Sequence, residues 1–96
     1  MTTTKIVTNI TAQIILKTSQ DVKDFVFKTS SLPKDVQVKV MYDDCVVDGK
    51  SILGLLSINT KGILTVKILS NKTPDVQILK AIKPWILKYE ERIETQ

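Results

Sequence analysis

Val36, Val38 and Val40 alternate with Gln37, Lys39 and Met41, and the same period of two returns at Leu64, Val66 and Ile68. Successive side chains of a strand point to opposite faces, so this spacing specifies a sheet with one apolar and one polar face. Such a sheet is antiparallel in the ordinary case and must bury its apolar face under something else. The cover comes from stretches with helical spacing. Val22, Phe25, Val26 and Thr29 form one stripe, and Ile78, Leu79, Ile82, Trp85, Ile86 and Tyr89 form a wider one.

The remaining punctuation orders these pieces. Residues 5–16 are rich in Ile, Val and Thr and read as a first strand, with Ile10–Leu16 its clearest part. Thr18 or Ser19 can cap a helix over Gln20–Ser31, with Asp21 in the favourable first turn. Leu32-Pro33-Lys34 ends it. Asp43-Asp44 turns the Val36–Met41 strand back into Cys45-Val46-Val47, with the turn type left open by the absence of Asn-Gly or Asp-Gly. Asp48-Gly49-Lys50 is a second turn, and Ser51 caps a short helix running to Ser57. Asn59–Gly62 is a loop before the Leu64–Ile68 strand. Thr73-Pro74-Asp75 opens a last helix, with Thr73 as cap. Pro84 lies inside that helix's stripe and predicts a kink near residues 80–83. The order is β-α-β-β-α-β-α: an α+β, four-stranded antiparallel sheet with three helices on one face. Ninety-six residues make one domain, 1–96, with residues 1–4 a flexible tail.

Composition excludes whole classes of chemistry. There is no histidine, which removes a Ser-His-Asp triad, a Cys-His pair, a histidine metal site and a phosphohistidine. Cys45 is the single cysteine, with no histidine to activate it, and reads as a small buried or half-buried strand residue. Asp43, Asp44 and Asp48 lack the alternating oxygen spacing of a calcium loop. No enzyme activity, metal or cofactor is expected. The net charge of +4 comes from thirteen lysines and Arg92 set against ten acids. The lysines are dispersed and the aromatics are five, whereas nucleic-acid readout favours arginine and stacking platforms, so no nucleic-acid partner is expected. Trp85 and Tyr89 read as core. No apolar run is long enough to cross a bilayer and no secretory signal is visible, so the expected setting is cytoplasmic.

One segment carries a resemblance. Lys50-Ser51-Ile52-Leu53-Gly54-Leu55-Leu56-Ser57-Ile58 is similar to the Lys-Ser-Ile-Met-Gly-Val-Met-Ser-Leu run around the regulatory serine of HPr. HPr is the histidine-containing phosphocarrier of the bacterial sugar phosphotransferase system. Tyr42 and Cys45-Val46-Val47 fall on that family's hairpin, Lys61-Gly62 introduces its fourth strand, and the element order agrees. The departure is at the other family motif, Gly-Ile-His-Ala-Arg-Pro-Ala. Here the corresponding stretch is Lys17-Thr18-Ser19-Gln20-Asp21-Val22-Lys23, with Gln20, Ser19 or Thr18 opposite the histidine. In lacking the histidine while keeping the serine, the chain resembles the catabolite-repression HPr-like proteins.

The resemblance implies a regulatory protein-binding module that is not a phosphocarrier. It implies phosphorylation at Ser51. It also implies a partner-facing surface on the first and short helices, drawn from Gln20, Val22, Lys23, Lys50, Ile52, Leu53, Leu55 and Leu56. A transcriptional regulator or an HPr-type serine kinase would be the partner. The alternative is a diverged domain of the same fold with an unrelated protein partner, in which Ser51 is only a cap. A third reading is weak anion binding at helix starts, helped by Lys17, Lys23 and Lys50.

Overall fold

A computed structural model describes residues 6–58 and 62–95. The expected tail at 1–4 and most of the loop at 59–62 lie outside the described residues. Among the described residues, five antiparallel strands form one sheet: β1 (Ile6–Ile15), β2 (Gln37–Tyr42), β3 (Cys45–Asp48), β4 (Ile63–Ser70) and β5 (Ile86–Thr95), in the order β3-β2-β4-β1-β5. The helices are α1 (Ser19–Ser30), α2 (Ile52–Leu56) and α3 (Asp75–Ile82). No helix among the described residues is long and apolar enough to cross a membrane.

The period of two is realised in the burial. Ile10, Ala12 and Ile14 of β1 and Leu64, Val66 and Ile68 of β4 have no exposed surface, and Val38 and Val40 of β2 join them. The register lines them up across strands, with Ile10 opposite Ile68 opposite Val38, and Ala12 opposite Val66 opposite Val40. Val22 and Phe25 of α1, Leu55 of α2 and Ile78 and Ile82 of α3 close the same core. The other face presents Thr11, Lys67 and Lys39 in one cross-strand row and stays open.

The four-stranded expectation is corrected to five, because the last stripe is not one helix. Pro84 has no N–H to give to Lys80 and its ring crowds the preceding turn. The α-helix therefore stops at Ile82, a single 3-10 turn covers Lys83–Trp85, and Ile86 turns extended at φ −71°, ψ 129°. Trp85 remains core, edge-on to Phe25 with ring centroids 5.5 Å apart. From Ile86 onward the chain pairs with β1, from Ile14 opposite Ile86 to Ile6 opposite Thr95, with a bulge that leaves Leu87 unpaired. Tyr89, expected in the core, is half exposed on β5.

Three smaller corrections follow from contacts distant in sequence. Thr73 does not cap α3; Pro74 occupies that position without a side-chain bond. The Thr73 hydroxyl instead donates to Asp35 Oδ1 at 2.9 Å, while Asp35 Oδ2 accepts from the backbone N–H of Lys72 and Thr73 and from Ser70 Oγ. Leu79 is half-buried against the core, which is closed on that helix by Ile78. Cys45 is exposed, on the short edge strand β3.

Candidate partner-binding surface

The short helix is held by the turn before it. Lys50 N donates to Asp48 Oδ1 at 2.9 Å and Ser51 N to the Asp48 carbonyl at 3.1 Å. Gly49 sits buried inside this turn, with its N–H on the Val38 carbonyl at 2.8 Å. A Cβ there would run into the Val38 side chain, so glycine is needed for close approach rather than for an unusual backbone angle. Ser51, in extended conformation, then caps α2: its hydroxyl accepts from Gly54 N at 3.2 Å. The expected cap is thus found at the expected residue.

Contacts to α1 fix the two helices side by side. Thr29 Oγ1 donates to the Gly49 carbonyl and Ser30 Oγ to the Lys50 carbonyl at 3.2 Å. Lys23 and Phe27 precede Ser30 by seven and three residues, so they share the flank of α1 that looks toward α2. On α2, Gly54 approaches the Asp48 carbonyl and Val47. Leu56 therefore lies on the flank away from β3, with Leu53 one helical step behind it.

Burial separates the expected surface residues. Leu53 is 77% exposed and Leu56 62%. Gln20 and Lys23 are exposed, and Lys50 and Ile52 are half-buried. Val22 and Leu55 point into the core and present no surface, because each supplies the apolar anchor of a helix that has only one covered face. Phe27, which lies outside the expected set, is 71% exposed. Its signal was present: it falls off the Val22-Phe25-Thr29 stripe by more than one residue step.

The start of α1 is occupied by the chain's own carboxylate. Thr18 is the cap; its hydroxyl accepts from Asp21 N at 3.1 Å, and Asp21 Oδ2 accepts from Lys17 N and Thr18 N at 3.0 and 3.1 Å. Gln20 reaches back along the helix, its amide donating to Asp24 Oδ1 at 2.9 Å. An incoming anion would meet Asp21's charge and find these donors taken. Asp43, at φ 51°, and Asp44 form the two-residue β2–β3 turn, and among the described residues no group of three or more His, Cys, Asp or Glu side chains gathers to hold a metal. The chain matches no protein-family model, no curated protein and no solved structure.

Proposed function

We propose that the chain is an HPr-like regulatory module of the bacterial phosphotransferase lineage, cytoplasmic and non-enzymatic, that binds a protein partner through α1 and α2 and is switched at Ser51. The observation that carries this reading is the capping serine at the head of a five-residue helix that leaves two large apolar side chains, Leu53 and Leu56, in solvent. Phe27, exposed on the neighbouring helix, adds a third large apolar side chain and supports the reading. The element order up to α3 and the segment Lys50–Ile58 support the lineage.

In this reading a kinase transfers the γ-phosphoryl group of ATP to the Ser51 hydroxyl oxygen, with ADP and the hydroxyl proton leaving. About two negative charges then stand beside Ile52 and Leu53. A partner surface carrying arginine is favoured and an acidic or purely apolar one disfavoured, with the fold unchanged. Incubation with a purified HPr-type serine kinase and ATP should add one phosphate to the intact mass, and Ser51→Ala should abolish it. An unmodified chain beside a phosphorylated HPr in the same tube would leave Ser51 a cap and the domain a diverged one with an unrelated partner.

A further inference from the structure

A second surface, independent of Ser51, lies at the opposite edge of the sheet. Among the described residues, β5 is the last strand in the order, paired with β1 on one side and with no strand on the other. It runs for 10 residues, well beyond the usual strand of ~5–6. Its outer row of backbone N–H and C=O groups is a template for a further strand. The bulge at Leu87 interrupts pairing only at the beginning of the strand; from Lys88 to Thr95 the register is continuous.

A groove of about 390 Å³ runs beside this edge, between α3 with its following turn and β5, lined by Leu79, Lys80, Lys83, Ile86 and Tyr89. Its floor is apolar and both lysines are exposed at its rim. Beyond the groove, farther along β5, Glu91 stands near Asp75 at the start of α3, which raises the pKa of its carboxyl, so acidic groups follow the basic rim. A strand edge and an adjacent pocket for alternate side chains are what recognition of an extended peptide by strand addition uses, and the two lysines add selectivity by charge.

We infer that the β5 edge takes an extended, acidic segment of another protein as a sixth strand. One apolar side chain of that segment fills the slot over Leu79 and Tyr89, and an acidic side chain meets Lys80 and Lys83. The segment's alternate side chains face the groove, since neighbours along a strand point to opposite faces. The Asp75–Glu91 end excludes further acid there and so limits the acidic stretch to the Lys80–Lys83 end. Nucleic acid is the poorer occupant: strand addition uses backbone N–H groups that a phosphodiester chain lacks.

The test uses fluorescein-labelled octapeptides, one alternating valine with glutamate and one alternating valine with lysine, titrated against the full chain by anisotropy. The glutamate peptide should bind and the lysine peptide should bind at least ~10-fold more weakly. The double variant Lys80→Glu, Lys83→Glu should invert that preference, which also reports that the variant is folded. N-methylation of alternate backbone nitrogens in the glutamate peptide should cost at least ~10-fold, since it removes donors to the edge. Amide shifts on binding should cluster on Ile86–Glu91. Equal binding of the two peptides, no inversion in the variant, or undiminished binding of the N-methylated peptide would each overturn the proposal. So would displacement of the peptide by a single-stranded oligonucleotide at lower concentration. A concentration-dependent dimer in sedimentation without peptide would overturn it by assigning the edge to a second copy of the chain.

Discussion

Thr29, fully buried in α1, donates its hydroxyl to the carbonyl of Gly49 at 2.8 Å, across twenty residues of sequence. This bond joins the helix that covers the sheet to the turn that launches α2. Thr29→Val keeps the shape and leaves a buried carbonyl without that donor, which costs about 1–3 kcal/mol. Urea unfolding should show the loss as a lower midpoint with an unchanged slope. A midpoint equal to wild type would mean that water replaces the hydroxyl.

Ile78 and Leu79 are neighbours on α3 with different surroundings, the first fully buried and the second half-buried. Ile78→Ala should cost ~2–5 kcal/mol, the range for emptying a filled core site. Leu79→Ala should cost less than ~2 kcal/mol, because part of its side chain already faces water. Equal losses in thermal or urea unfolding would return Leu79 to the core.

Asp35 is held well below the usual carboxylate range, first by the Lys72 backbone N–H and then by Ser70 and Thr73, against the opposing effect of partial burial. A carboxylate whose folded pKa is depressed contributes stability that is present above its unfolded pKa and lost as pH falls through the folded value. Stability should therefore decline from roughly pH 4 downward, and Asp35→Asn should flatten that decline while lowering stability at pH 7. Urea midpoints at pH 7 and pH 3 check both. A variant as pH-sensitive as wild type would show that other carboxylates set the acid limit.

The chain should not accept phosphate from the first enzyme of the phosphotransferase system. It has no histidine, and residues 17–23 hold no arginine to clamp a phosphoryl group. Asp21 occupies the start of α1 where that group would approach. After incubation with the enzyme and phosphoenolpyruvate the intact mass should be unchanged. A stable gain of one phosphate would show that another side chain takes the histidine's place.

Local signals sufficed wherever local physics decides. The period of two located the runs at Val36–Val40 and Leu64–Ile68, and richness in Ile, Val and Thr located Ile10–Leu16. Ser51 was legible as a cap because its bond to Gly54 spans three residues. Between Thr18 and Ser19, left open by the sequence, the structure selects Thr18, whose bond closes only with Asp21 answering it. β5 was not legible. Ile78, Ile82 and Trp85 do face the core, so the helical stripe holds through Trp85, and Ile86 and Tyr89 continue its spacing by coincidence. What makes residues 86–95 a strand is the open flank of β1, more than seventy residues earlier. The Asp35–Thr73 clasp was hidden for the same reason, its partners standing 38 positions apart. At the candidate surface, sequence found the helix but not which residues it covers, since Leu53 and Leu55 differ only in the face they turn.

The position of β1 between β4 and β5 has a consequence for synthesis. The ribosome delivers this strand before its partners β4 and β5, and α1, β2, β3 and α2 come between. The β2–β3 hairpin can close on its own in microseconds, whereas β1 must wait, and contacts so distant in sequence slow folding. During that interval an Ile- and Val-bearing segment stands unpaired and prone to aggregation. Asn9, Thr11 and Gln13, which break the apolar residues of β1 one by one, keep the nascent strand soluble until residues 63–95 arrive.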